Sequence, residues 1–428
     1  MRVLLVSDLA ATGFGRVGRE LATGLIGRGH EVRIIGVNWR GAVGELEALV
    51  RRGYSLRLAA AEIEDDPLAR WTMPAARDGD GMGTNLLYPA ITGRLWAGWQ
   101  PDAAIIVADP RAMFGRLLGD GGSLSMLPVF NYVPIEGTGL PPVLRSLWDV
   151  VTPVAMSRFG QAQLEQLLDR PVALALHGVS AAFRPLSPTD PGRWQGRTAM
   201  TKDGAKEAIN ATGQLVILRT DRYILRKNYP GFFRVLRPVL AKHPEAIAVV
   251  HTVLQDDVGW GDIRELLSRE PGAVKIGPGY FDWDHAQIHF TGAHDSFRGL
   301  ADEDLRVLYG AADIYLSPTM AEGFGLCLAE AMACEVPVIA TDYSAVGEVV
   351  GPGGILIPPA ATFTNPYSHE WALVDEAAMS EALERLASKP ALRRKLGAAG
   401  RRHVAQFTWG AAVDVFDRLI TDAVAVAA

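Results

Sequence analysis

Two carboxylates separated by seven residues flank a glycine-rich turn in Ser317-Pro-Thr-Met-Ala-Glu322-Gly-Phe-Gly325-Leu-Cys-Leu-Ala-Glu330. An apolar run over residues 314–316 predicts a strand before the turn, and a helix is predicted from about Leu326. Gly323 and Gly325 permit the tight reversal between them. Such a turn offers unpaired backbone N–H groups and the positive end of a helix to an anion. Carboxylates at the same place do not suit phosphate; they suit hydroxyl groups of a sugar or a ribose. The alternative is a surface loop with one solvated glutamate and one capping glutamate.

A second constellation, Arg219-Thr-Asp-Arg222-Tyr-Ile-Leu-Arg226-Lys227-Asn, directly follows a predicted strand over residues 215–218. Three guanidinium groups and one ammonium past the carboxyl end of a strand suit a diphosphate, bidentate from Arg and as a point charge from Lys. A solvated basic loop is the bland alternative. A third constellation, Thr12-Gly13-Phe14-Gly15-Arg16, follows the first strand. Gly13, Gly15 and Gly18 satisfy G-x-G-x-x-G, but no acidic residue ends a second strand, so the dinucleotide fingerprint is incomplete. Gly15 and Arg16 then serve either as one wall of a phosphate site or as a turn for packing. His177 follows a short strand over residues 172–176 and either faces a cleft or packs between domains. His285 and His289 have helical metal-pair spacing, but residues 287–290 predict a strand, which separates their faces; no metal site is expected.

These residues need a scaffold. Strand 2–7, a glycine loop, a helix over about 17–27 and strand 31–37 make a βαβ unit, and so a parallel sheet. Strands follow at 103–108, 127–132, 150–156 and 172–176, with helices around 85–99, 113–118 and 158–168. Residues 41–82 read as helix plus irregular loop. From 184 to about 213 the period breaks among Pro185, Pro188 and Pro191, which predicts a linker. Alternation restarts with strands at 215–218, 246–250, 274–276, 288–290, 314–316, 336–340 and 354–357, and a helix over 229–241. The expectation is two doubly wound α/β domains of similar size, with ligand at the carboxyl ends of strands in a cleft between them. A long Ala- and Val-rich helix ends the chain after Phe407-Thr-Trp409.

Composition narrows the functional classes. At 428 residues the chain holds two or three domains, and 49% hydrophobic residues exclude disorder as the main state. No apolar stretch approaches the ~20 residues of a spanning helix. The N-terminus lacks a signal-peptide pattern, so a cytoplasmic protein is expected. A net charge of −6 argues against a nucleic-acid partner. Cys327 and Cys334 lie about two helical turns apart, too far for a disulfide.

Taken together, these residues resemble the retaining glycosyltransferases of the two-domain GT-B type, in the large GT4-like family (glycosyl transferases group 1). Glu322-x7-Glu330 within Glu-Gly-Phe-Gly-Leu-x3-Glu-Ala is similar to that family's signature. Arg222-x4-Lys227 is similar to its Arg/Lys pair, and His177-Gly-Val-x3-Phe183 to the segment before its linker. Phe290-Thr-Gly292, Asp304-Leu, Ala312-Asp313, Pro337-Val-Ile-Ala340 and Phe407-x-Trp409 also match. The resemblance implies an acceptor domain over residues 1–183, a linker over 184–213, a nucleotide-sugar domain over 214–406, and a helix over 407–428 that returns to the first domain.

The same resemblance implies site roles. Arg222 and Lys227 hold the donor diphosphate, and Glu322 meets the transferred sugar. The amides of Phe324 and Gly325, with Leu326 beside them, touch sugar hydroxyls or phosphate, and Glu330 accepts from the ribose hydroxyls. Gly292 lies near the base, and Gly15 and Arg16 close on phosphate or acceptor. Retention by front-face attack needs no metal and no cofactor, the cations doing the work instead. Many relatives place a histidine in the first domain near the donor sugar; this chain has Asn131-Tyr-Val-Pro-Ile-Glu136-Gly there, so Glu136 or Asp109 is expected to cover that role. The partners implied are a nucleotide-sugar donor and a hydroxyl acceptor, with peripheral membrane contact permitted. Competing readings are a sugar-nucleotide epimerase or hydrolase using Glu136 or His177 as acid/base, and a non-catalytic nucleotide-sugar binder. A nicotinamide dehydrogenase fits least.

Overall fold

The computed structural model of the chain describes residues 1–9, 13–37, 68, 72–74, 84–96, 98–119, 122–256, 261–277, 279–283, 286–291 and 300–427. They divide into two compact units. Unit 1 comprises Met1–Ile135, Leu140–Gly178 and Trp409–Ala428, and unit 2 comprises Glu136–Gly139 and Val179–Thr408.

Unit 1 is built on seven strands, β1 (Arg2–Asp8), β2 (Glu31–Val37), β3 (Thr72–Pro74), β4 (Ala103–Val107), β5 (Val129–Val133), β6 (Thr152–Ala155) and β7 (Ala173–Leu174). Their order is β3-β2-β1-β4-β5-β6-β7, with parallel pairing throughout. Strands such as β1 carry an unbroken apolar run, Val3-Leu-Leu-Val6, because both faces of a parallel sheet are covered. The covering helices include α1 (Gly13–Gly27), α2 (Thr84–Ile91), α3 (Pro110–Gly119) and α4 (Arg158–Leu168). The C-terminal helix Trp409–Ala427 also belongs to this unit: Val413 packs where a Cβ on Gly24 of α1 would sit, and Phe416 stands edge-on to Tyr132.

Unit 2 opens with a small antiparallel hairpin, β8 (Gly192–Trp194) and β9 (Arg197–Ala199), and helix α5 (Lys202–Ala208). Strands β10 (Leu215–Thr220) and β11 (Ala246–His251) follow, with α6 (Tyr229–Leu240) between them. A two-stranded ladder, β12 (Gln255–Asp256) with β13 (Gly261–Asp262), precedes α7 (Ile263–Ser268). Then come β14 (Val274–Gly277), β15 (Tyr280–Trp283), β16 (Ala286–Phe290), α8 (Asp302–Ala311), β17 (Ile314–Ser317), α9 (Leu326–Ala333), β18 (Val338–Thr341), α10 (Val346–Val350) and β19 (Gly354–Ile357). The antiparallel pair β20 (Pro359–Thr364) and β21 (Glu370–Val374), α11 (Glu376–Ser388) and α12 (Pro390–Val404) complete it. The main sheet runs β14-β15-β16-β11-β10-β17-β18-β19, antiparallel only where β15 meets β14 and β16. Chain order reverses between β10 and β17, which pair in parallel through Ile217↔Ile314 and Leu218↔Tyr315. Such a switch point opens a crevice at the strands' carboxyl ends.

Several expectations are corrected. Residues 184–213 are not a linker: they form the β8–β9 hairpin and α5 inside unit 2. The cause is non-local, because fully buried Arg306 on α8 donates to the carbonyls of Arg184, Pro185 and Asp190 and to the Asp190 carboxylate. Gly13 to Arg16 are not a loop before the helix but its first turn. Gly18 lets α1 approach β1, since a Cβ there would lie 2.5 Å from Ser7 Oγ. The helix expected over 85–99 ends at Ile91, and the strand expected over 172–176 shortens to two residues. Strand β15 and the β20–β21 pair carry no prior expectation. Of residues 41–82, only 68 and 72–74 are described. Cys327 and Cys334 form no disulfide. Among the described residues, no helix is long and apolar enough to cross a membrane, and no group of three His, Cys, Asp or Glu side chains could hold a metal.

Candidate active site

The loops after β10 and β17 are neighbours because their strands are, so the basic cluster and the glycine turn meet. Glu322, nearly buried, receives Lys227 Nζ at 2.6 Å and Thr319 Oγ1 at 2.9 Å on Oε1, and Arg226 Nη1 at 2.6 Å on Oε2. Its backbone N–H donates to Ser344 Oγ at 2.7 Å. Burial works against the charged carboxylate, but Arg226 and Lys227 outweigh it and bring its pKa down to about 2. Glu322 is therefore an anion in a nearly dry place.

The cations are held in turn from beneath. The fully buried Arg219 makes a two-point contact with Asp221, Nε to Oδ1 at 3.0 Å and Nη2 to Oδ2 at 3.2 Å, and donates to the carbonyl of Lys227. Its guanidinium lies over the ring of Tyr229, 4.1 Å from the centroid, and near that of Phe232. Lys227 Nζ is 3.9 Å from Asp221 Oδ2. An ammonium carries three donors, so Lys227 can serve Glu322 and a phosphate together. Arg222, the expected partner of Lys227, is half-buried in the same loop. The guanidinium seated on Glu322 belongs to Arg226.

The glycine turn behaves as its composition requires. Gly325 has φ +102 and caps α9, where Leu326 is the first helical residue, and buried Phe324 stands edge-on to Phe407. Glu330, on the second turn of α9, is buried and accepts from Tyr309 OH at 2.7 Å, while Tyr309 OH lies 2.7 Å from Thr220 Oγ1. The two carboxylates of the motif thus stand on the same loop and helix, one bound by cations and the other by a neutral hydroxyl. Gly292 lies outside the described residues.

Glu136 belongs to this cluster. Its Oε1 lies 2.8 Å from Arg226 Nη2, and its carbonyl accepts from Trp371 Nε1 at 2.7 Å. The next residues are tied down as well: Thr138 bridges Glu370 of β21 and meets Tyr343 OH at 2.9 Å. Gly137 is required there, since a Cβ would lie 2.2 Å from the Glu370 carbonyl. The positions of Thr319, Ser344, Tyr309, Tyr343 and Trp371 carried no sequence signal. Arg226 did carry one, its place beside Lys227.

The remaining candidates lie in unit 1. Asp109 follows β4 and caps α3, its Oδ1 accepting from the N–H groups of Arg111 at 2.9 Å and Ala112 at 3.0 Å. Gly15 is buried in α1 and Arg16 half-buried beside it. His177 is a core residue: Nδ1 lies 2.6 Å from Tyr132 OH, and its ring packs against Trp409. Burial lowers its pKa from 6.5 to about 3. Because the unfolded chain takes up this proton first, the stabilisation is complete above about 6.5 and is lost as pH falls toward about 3. His177→Gln is expected to flatten that dependence by about 1.4 kcal/mol per pH unit within this window, measured by urea unfolding.

Residues 270–388 match the model of a family described as glycosyl transferases group 1. Among curated proteins, the chain is 38% identical over 112 residues to the MMP alpha-(1->4)-mannosyltransferase of Mycolicibacterium hassiacum, covering 26% of this chain and 25% of that protein. It is 31% identical over 155 residues to a phosphatidyl-myo-inositol mannosyltransferase of Mycobacterium leprae, covering 36% and 33%. The chain thus spans about a quarter to a third of the length of these relatives. Among solved structures, sucrose-phosphate synthase from Thermosynechococcus elongatus matches over 100% of both chains with a TM-score of 0.67 and 18% identity. HepE of Anabaena, in complex with UDP and glucose, matches over 99% of this chain and 100% of its own with a TM-score of 0.60 and 14% identity. The fold is GT-B, and the stretch that matches the family model contains both Glu322 and Glu330.

Proposed function

We propose that the protein is a retaining glycosyltransferase that moves a sugar from a nucleotide-diphosphate sugar to a hydroxyl acceptor. The carrying observation is Glu322, a buried anion gripped by Arg226 and Lys227 beside the turn that opens α9. A fixed negative charge stabilises positive charge developing at an anomeric carbon, and adjacent cations stabilise a departing diphosphate. Arg222 and Lys227 are assigned to the diphosphate, Glu330 to the ribose hydroxyls, and the amides of Phe324 and Gly325 to sugar hydroxyls or phosphate. With those cations on the leaving group, the departing phosphate oxygen takes the acceptor's proton and the acceptor attacks from the same face. The metal-free form of the reaction follows from this assignment. Glu136, seated on Arg226, is assigned to the sugar side.

The epimerase or hydrolase alternative needs a general acid/base at the anomeric carbon. Glu136 is bound to Arg226, and His177 is neutral in the unit 1 core, bound to Tyr132. These contacts favour the transfer reading over that alternative.

A thermal-shift screen against nucleoside diphosphates and their sugars tests the proposal. One nucleotide class is expected to raise the midpoint with and without EDTA, since a ligand at a hundred times its Kd adds about 2.7 kcal/mol. A shift with no nucleotide rejects the donor assignment, and a shift abolished by EDTA rejects the metal-free form.

A further inference from the structure

We propose that Arg226 is the positioning residue of this site, fixing the plane of the Glu322 carboxylate and tying that plane to Glu136. The inference rests on the transferase reading above. Lys227 and Thr319 both reach Oε1 of Glu322, and neither defines where Oε2 lies. Arg226 Nη1 reaches Oε2 at 2.6 Å and also the Ala321 carbonyl at 2.5 Å. The same residue is anchored through its own backbone, because its carbonyl accepts from Met320 N at 2.8 Å. Head group and main chain of Arg226 therefore grip one loop, the loop that carries Glu322.

The far edge of the guanidinium is held as firmly. Nη2 lies 2.8 Å from Glu136 Oε1, and Glu136 sits in a segment fixed by the Thr138–Glu370 bridge, the Tyr343 hydroxyl and the Trp371 indole. A planar fork fastened at both edges transmits orientation, which a flexible ammonium does not. Burial opposes the charge on Arg226, yet Glu136 and Glu322 raise its pKa above the ordinary arginine value.

The rival role is charge balance alone, with Arg226 present to neutralise Glu136. Rates of nucleoside diphosphate release from the donor, measured for R226K, R226Q and E136Q/R226Q, separate the two. R226Q is expected to lower kcat about 100-fold, the scale of a misplaced catalytic group, with donor KM changed by less than about threefold. R226K is expected to fall between R226Q and the wild type, and E136Q/R226Q to stay as slow as R226Q. Crystal structures of the wild type and R226Q, or R226K should R226Q not fold, supply a readout independent of turnover. Oε2 of Glu322 is expected to swing out of its present plane while Oε1 stays on Lys227 and Thr319. Recovery of the wild-type rate in E136Q/R226Q, or an unmoved Glu322 carboxylate, overturns the proposal. A wild-type protein that turns over no nucleotide sugar rejects the transferase reading instead, and the crystal comparison then decides the role of Arg226 alone.

Discussion

Glu322→Gln is expected to lower the rate of sugar transfer by about 10²–10³-fold, while nucleoside diphosphate binding stays equal or becomes tighter. The amide keeps the shape of the carboxylate but removes the charge proposed to face the anomeric carbon. It also turns an N–H toward either Arg226 or Lys227, both of which donate. Lys227 is then released from its ion pair and more available to phosphate, so binding and rate move in opposite directions. Initial rates at saturating donor, with nucleotide binding measured by calorimetry, read both. An unchanged kcat would show that Glu322 is a structural anion, and a parallel loss of binding would show that it holds Lys227 in place for the phosphate.

Arg219→Met is expected to destabilise the protein by about 3–5 kcal/mol, the range for breaking a buried ion pair from one side. Arg219 is fully buried, Asp221 is nearly so, and the guanidinium also covers the Tyr229 ring. Methionine fills much of the volume but leaves the Asp221 carboxylate without its two-point guanidinium contact. The double replacement Arg219→Met with Asp221→Leu is expected to recover a large part of the loss, because a well-packed apolar pair avoids both desolvation terms. Urea unfolding midpoints of the three proteins test this. Equal midpoints for Arg219→Met and the wild type would mean that water reaches Asp221.

Local pattern carried most of the scaffold into view. Buried parallel strands hold continuous apolar runs, such as residues 103–107 and 246–250, and α4 and α6 have clear caps, Ser157 accepting from Gly160 N and Asn228 from Gly231 N. Elements held by distant partners were not legible. The residues read as a linker owe their order to Arg306, more than a hundred positions away, and their prolines disguise it. The same limit applies to the site. Glu322, Glu330 and Lys227 announce themselves by spacing, and the parallel pairing of β10 with β17 brings their loops together. Which arginine sits on Glu322 depends on the short helical turn at Leu225–Lys227, a detail of backbone geometry that spacing does not encode. His177, which follows a strand, read equally as a cleft residue or as one packed between domains, and its ring lies against Tyr132 and Trp409 of unit 1.

The Glu136–Gly139 segment has a consequence for modularity. Its four residues belong to unit 2, yet in the chain they lie between two stretches of unit 1. A fragment cut at Val179 would keep Glu322, Arg226, Lys227 and Glu330 but lose Glu136, and Trp371, Tyr343 and Glu370 would lose the segment they hold. Chimeras that exchange the second unit between related chains at that boundary therefore inherit an acid from one parent and its guanidinium from the other. Such hybrids combine cleanly only where both parents carry the same residue at each of these two positions, so inheritance at this site is linked across a boundary that looks separable.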